Sequence, residues 1–133
     1  EPLEGVRYAW YLKPGATAVV NTAAIRPAGL KITYPDLKYL LEEIRKTGAH
    51  LLADDFTEQA KQLGSVKVLN VLMAGVAAPF LPVDFDTIMK ALDLTVPEKF
   101  LSLNQKVLLW GRDYTRARPS GSKMAGEPRG SHG

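Results

Sequence analysis

The stretch from Ser65 to Arg112 limits what this chain can fold into. It reads SVKVLNVLMAGVAAPFLPVDFDTIMKALDLTVPEKFLSLNQKVLLWGR, three helical segments in succession, divided by prolines. In the first, about Val66 to Ala78, the residues Val68, Leu69, Val71, Leu72, Met73 and Val76 leave hardly any side polar. A helix that is apolar all round belongs in a core or an interface, not on an ordinary surface. It is too short to span a bilayer, and Pro79 and Pro82 stop it. Asp84 caps the next segment, which carries Phe85, Ile88 and Leu92 on one face. Pro97 opens the last, with Phe100, Leu103, Val107 and Trp110 as its stripe.

The residues before this stretch alternate between extended and helical patterns. Glu1 to Tyr11 has helical content, with Leu3, Val6 and Trp10 three and four apart, although Gly5 weakens it. Pro14-Gly15 marks a turn. Thr17 to Asn21, rich in small and β-branched residues, reads as a buried strand. Ala23 to Lys31 reads as a loop, and Ile32 to Tyr34 as a short extended piece. Pro35 suits a first helical turn. Leu37, Leu40, Leu41 and Ile44 then make an amphipathic stripe. Lys38–Glu42 and Glu42–Lys46 are placed as i,i+4 pairs on its wet side. Lys46-Thr47-Gly48 ends the helix with a cation and a glycine.

His50 to Ala53 is the second strand. Strand, helix and strand make a βαβ unit with parallel strands and an expected right-handed crossover. Asp55 and Glu58 have capping-box spacing for a short helix that ends at Gly64, and Ser65 caps the apolar helix after it. The fold class expected from this alternation is α/β.

At 133 residues the chain is one domain's worth, with 46% apolar residues, enough for a modest core. The net charge is +3. From Arg112 onward four arginines and Lys123 outweigh Asp113 and Glu127, which accounts for all of it. The rest is neutral, and no aromatics interleave with the basic residues, so neither a nucleic-acid face nor a membrane surface is expected. The organisation expected is a domain over 1–114 and a flexible basic tail over 115–133, where Gly, Pro and Ser replace periodicity. The start, EPLEGVRYAW, lacks a basic stretch followed by an apolar one, so the cytoplasm is the default location.

The chemistry is sparse. There is no cysteine, so these residues supply no thiolate, no disulfide and no Cys ligand to zinc or an iron–sulfur cluster. No glycine-rich phosphate loop, Ser–His–Asp set or paired-carboxylate motif stands out. His50 has no second ligand at metal spacing and reads as a strand-start histidine. Asn21 and Thr22 follow one strand, and Asp54 the other. In open α/β sheets ligands gather at the carboxyl ends of strands. Asn21, Thr22 and Asp54 are therefore the candidate cofactor-binding residues. The plainer alternative for Asn21 is a turn closed by its own amide, and Asp55 is a helix cap. Asn70 and Asn104 lie on apolar helices, where buried amides must be paired. A hydrogen bond between helices accounts for them without a ligand.

The order LNVLMAGVAAPFLP, then a short helix, then VPEKFLSLNQKVLLWG resembles the C-terminal half of the gamma-type subunit of 2-oxoacid:ferredoxin oxidoreductases. That family includes the beta subunit of indolepyruvate oxidoreductase. The positions that carry the resemblance are Asn70, Val71, Gly75, Leu81, Pro82, Pro97, Lys99 and Asn104, and the run EPLE…YLKPG…VVNT adds Asn21 and Thr22. The resemblance covers about Glu1 to Tyr114. The strand and glycine-rich turn that open the family's domain are not among these residues.

The resemblance implies a three-layer sandwich with a mostly parallel sheet, seen here as an incomplete half plus a C-terminal helical segment. It implies a subunit of an enzyme that oxidatively decarboxylates a 2-oxoacid, an aryl pyruvate such as indolepyruvate, to an acyl-CoA and passes electrons to ferredoxin. Thiamine diphosphate, iron–sulfur clusters and CoA are implied for the whole complex and none for this chain alone. No catalytic residue is expected on it. A larger catalytic subunit is the implied partner, and self-association is expected when the chain is isolated. The competing expectation is a free-standing α/β ligand-binding or scaffold module without redox function. A subunit exposes an apolar face until its partner covers it; a free module buries that face internally.

Overall fold

In the computed structural model, residues 1–23 and 35–118 are described. They divide at Asp54 and Asp55 into two compact units. The expected loop beyond Ala23, the extended piece Ile32–Tyr34 and positions 119–133 of the expected tail lie outside the described residues. The α/β expectation holds: the first unit carries a partial parallel sheet with helices, and the second is helical. Among the described residues, no helix is long and apolar enough to cross a membrane.

The first unit is built on two strands, β1 (Thr17–Asn21) and β2 (His50–Asp54). They pair in parallel, with Thr17 opposite His50 and Asn21 opposite Asp54. Side chains alternate across a sheet, so the pairs Ala18–Leu51 and Val20–Ala53 share one face. That face is covered: Val20 and Ala53 form a buried cluster with Leu41 and Ile44 of α2 (Leu37–Arg45), and Val6 of α1 (Pro2–Arg7) packs against it. Gly5 is the contact point of α1. A Cβ there would lie 2.9 Å from Ile44 Cδ1. The residue that weakens α1 as a helix lets it approach α2.

Trp10 departs from expectation. It lies in a 3-10 turn, Ala9–Tyr11, and is 74% exposed, stacked on Tyr11. The helix ends at Arg7, so the three-and-four spacing breaks before Trp10 can share the buried side.

Local chemistry sets the ends of α2. Pro35 stays outside the helix. Asp36 is the cap, and its carboxylate accepts from the Lys38 amide at 2.8 Å. The ion pairs form at i,i+3 instead of the expected i,i+4, as Glu42–Arg45 at 3.5 Å and Glu43–Lys46 at 2.6 Å. The hydrogen bond from Lys46 to Glu43, with the carboxylate's charge, raises the Lys46 pKa above its ordinary value. Gly48 follows at φ +81°, a conformation that L side chains rarely adopt.

The second unit opens with α3 (Phe56–Leu63), capped as expected by Asp55, whose carboxylate accepts from the Glu58 amide at 2.9 Å. Ser65 accepts from the Lys67 amide at 3.1 Å. The apolar stretch is not one continuous helix. A 3-10 turn at Val66–Val68 leads into α4 (Leu69–Ala77), and a second, Ala78–Phe80, closes it at Pro79. Val68, Leu72 and Val76 are buried, while Val66 and Asn70 are exposed. The expected inter-helix bond from Asn70 is therefore not made.

The helices α5 (Phe85–Thr95) and α6 (Glu98–Arg116) follow. α6 buries Asn104, Val107, Leu108, Gly111, Tyr114 and Thr115; of the expected stripe only Val107 is fully buried, while Phe100, Leu103 and Trp110 are not. The glycines explain the rotation. A Cβ on Gly75 would lie 2.4 Å from the Leu108 carbonyl oxygen, and one on Gly111 2.7 Å from the Leu72 carbonyl oxygen. α4 and α6 thus meet backbone to backbone, and the face carrying Gly111 must turn inward. Asn104 is buried but donates to the Phe100 carbonyl of its own helix at 2.8 Å, so it joins no second helix.

Thr115, placed by composition at the start of the tail, is instead buried inside α6. Its hydroxyl donates to the Val76 carbonyl at 2.6 Å. Thr115→Val keeps the shape but removes the donor and leaves a buried carbonyl without that bond. It is expected to destabilise the helical unit by about 1–3 kcal/mol. Chemical denaturation reads this directly, and an unchanged midpoint would contradict the role given to the hydroxyl.

Candidate functional site at the carboxyl ends of the strands

The face of the sheet opposite α1 and α2 carries the pairs Thr17–His50, Val19–Leu52 and Asn21–Asp54. Val19 and Leu52 are half-buried, and His50 at the start is exposed. At the carboxyl end, Asn21 and Asp54 stand side by side, both half-buried, and the Thr22 amide donates to the Asp54 carbonyl at 2.8 Å. The three candidate residues are thus brought together by parallel pairing, although a long stretch of sequence separates them.

The Asn21 amide oxygen accepts from the Ala23 backbone at 3.3 Å. This is the self-closed turn of the plainer reading. It engages the oxygen and fixes the side chain beside Asp54. Asn21 and Asp54 both make further interactions. The pair offers amide donors and a carboxylate acceptor at one sheet edge, the chemistry to hold a hydroxyl, an amide or a cationic group.

The groups implied by the resemblance fit these residues poorly. Asp54 puts a negative charge where a diphosphate would need donors, and no glycine-rich turn supplies backbone amides. No cysteine is present for a cluster. Among the described residues, no group of three or more His, Asp or Glu is placed to hold a metal ion.

In the second unit, a cleft of about 280 Å³ lies along α4, α5 and α6, lined by Asn70, Val71, Ala74, Ile88, Leu92 and Leu108, among others. It is mostly apolar. Asn70, read from sequence as a core amide, lies on this cleft instead.

Known proteins place the chain. Residues 2–114 match the family model described as pyruvate ferredoxin/flavodoxin oxidoreductase. Among curated proteins, the chain is 30% identical over 128 residues to indolepyruvate oxidoreductase subunit IorB of Archaeoglobus fulgidus, covering 90% of this chain and 63% of that protein. The subunit of the same name from Pyrococcus horikoshii is 32% identical over 114 residues, covering 80% and 55%. That from Thermococcus kodakarensis is 29% identical over 119 residues, covering 84% and 58%. The chain spans about three-fifths of the length of these relatives. No solved structure matches it. A family match that runs from the first helix almost to the end of the last described one settles the kinship: the chain belongs to the pyruvate ferredoxin/flavodoxin oxidoreductase family.

Proposed function

We propose that this chain is part of a subunit of a 2-oxoacid:ferredoxin oxidoreductase acting on an aryl pyruvate such as indolepyruvate. It takes a structural and site-shaping role beside a larger subunit that carries thiamine diphosphate and the iron–sulfur clusters. The observation that carries this reading is the family match over residues 2–114, joined by relatives named for indolepyruvate oxidoreductase. These residues contain no cysteine and so supply no thiolate ligand to a cluster. In this reading Asn21, Thr22 and Asp54 hydrogen-bond the partner itself, or a hydroxyl, amide or cationic group of a cofactor that the partner holds. A cytoplasmic location, and a tail that begins after α6 instead of at Thr115, complete the proposal.

Reconstitution tests it. Co-expressed with a subunit bearing thiamine-diphosphate and ferredoxin-type cysteine motifs, the complex is expected to reduce ferredoxin when given indolepyruvate and CoA. The chain alone is expected to do neither chemistry nor cofactor binding. Micromolar binding of thiamine diphosphate to the isolated chain, measured by calorimetry, would overturn the assignment of roles.

Within the complex, Asn21→Ala and Asp54→Asn each remove one polar contact at the sheet edge. Losing a hydrogen bond to a charged group corresponds to roughly tenfold in turnover or assembly. A turn-only role predicts a lower melting temperature with unchanged turnover and assembly. Measuring all three on each variant separates the two accounts.

A further inference from the structure

A notch of about 190 Å³ sits where the turn after α4 meets the start of α5 and the last turns of α6. Its lining includes Leu81, Val83, Phe85, Arg112 and Arg116. Leu81 and Val83 are exposed. Arg112 is held in place. Its guanidinium lies 4.4 Å from the centre of the Phe85 ring, and its Nε donates to Asp113 at 3.1 Å. Arg116 follows at i+4 on the same side of α6. Among the described residues, Arg116 makes no ion pair.

Two cations at i,i+4 repel each other, although a cation in the last turn of a helix, as Arg116 is, interacts favourably with the helix dipole. An anion between them reverses the sign. Guanidinium groups present forked donors that match carboxylate and phosphate geometry, and an arginine already fixed by stacking loses little freedom on binding. Asp84 is the one carboxylate in the lining. It makes no ion pair with either arginine among the described residues; Asp113 pairs with Arg112, which leaves Arg116 as the cation without an ion pair there. The notch is smaller than the roughly 300 Å³ at which sites for drug-sized ligands begin. Its occupant is therefore compact.

We propose that this notch binds a short-chain organic anion, with a carboxylate or phosphate head on Arg112 and Arg116 and a short apolar body on Leu81, Val83 and Phe85. The site lies wholly within the helical unit and does not depend on the proposed oxidoreductase role. By composition Arg112 and Arg116 count as part of a basic tail; their i,i+4 spacing is the signal in the sequence that points to a shared face.

Titration of the full chain tests the site, followed through the side-chain Nε–H resonances of Arg112 and Arg116. The probes are hexanoate, butyl phosphate and the neutral hexanamide. At least one anion is expected to saturate and to bind five- to tenfold more tightly than hexanamide, as a charge-assisted contact implies, roughly; the tighter of the two identifies the head group. Arg116→Gln, at an exposed position, is expected to remove most of that difference without moving the melting temperature. Arg112→Lys keeps charge but loses the fork, and is expected to weaken binding less than Arg116→Gln combined with it. The proposal fails if neither anion saturates by about 10 mM, if hexanamide binds as tightly, or if Arg116→Gln leaves both affinities unchanged.

Discussion

Gly75→Ala is expected to lower the stability of the helical unit by about 2 kcal/mol or more, although alanine is the better helix former. Two effects oppose each other. Replacing a mid-helix glycine with alanine favours the helix by about 1 kcal/mol. The added methyl, however, would sit 2.4 Å from the Leu108 carbonyl oxygen and 3.2 Å from Gly111 Cα. Both are backbone atoms of α6, and no rotamer change moves them. Overpacking of this kind costs about 1–3 kcal/mol and sometimes more. A contact this short on a rigid backbone belongs at or above the upper end, so the steric cost prevails.

Gly111→Ala meets the same obstacle from the other helix. Its methyl would stand 2.7 Å from the Leu72 carbonyl oxygen and 2.8 Å from the Val76 nitrogen. For a unit of this size, about 2 kcal/mol corresponds to a fall in melting temperature of roughly 10 °C. Gly5→Ala is the informative control. Its methyl meets only the Cδ1 tip of Ile44 at 2.9 Å, a flexible end that can turn aside, so its effect is expected to stay within about 1 kcal/mol. Thermal melts of the three variants check the ordering. Should Gly75→Ala melt at or above the parent temperature, the backbone-to-backbone packing of α4 and α6 is wrong.

That packing also shows what could be read from sequence and what could not. The signals that act within a few residues were legible. Asp55, Ser65 and Gly48 sit at the helix ends where cap chemistry puts them. The apolar stripe of Leu40, Leu41 and Ile44 is buried as its spacing requires. Parallel pairing of Thr17–Asn21 with the second strand followed from the helix between them. The face of α6 was misread because a periodicity argument weights large apolar residues. The contact with α4 is instead made at glycine, where the lack of a side chain is the signal. Asn104 was expected to be buried and differs only in its partner, whereas Thr115 was discounted for a related reason. Each satisfies its polar group inside the core, through the Phe100 and Val76 carbonyls respectively, and so can be buried at little cost.

The candidate site divides along the same line. That Asn21 and Asp54 follow strands is local information, and parallel pairing then makes them neighbours. The bond from the Ala23 amide to Asn21 could be foreseen because it spans only two residues. Arg112 and Arg116 escaped notice because their significance lies in facing Leu81 and Phe85, a tertiary fact.

Trp110→Ala is expected to weaken assembly with the proposed larger subunit by about 2 kcal/mol or more, roughly thirtyfold in Kd. The structure leaves Trp110 off the buried stripe of α6. It is half-buried and stacked on Tyr114, with ring centres 5.3 Å apart and planes 27° apart. Exposed Leu109 adjoins it in sequence, and Phe100 is exposed on the same helix. A half-covered tryptophan is the kind of residue enriched at interface centres, where burial of one large side chain contributes about 1.5–3 kcal/mol. The stack on Tyr114 contributes to folding as well, by about 1 kcal/mol, so a modest fall in melting temperature is expected alongside the loss of affinity. The two readouts answer different questions. If the melting temperature falls while the folded variant binds its partner as before, Trp110 is a packing residue and the interface lies on another face. If the parent chain stays a monodisperse monomer at high concentration and no partner is captured by the co-expressed subunit, its apolar surface needs no cover, and the free-standing module becomes the better account.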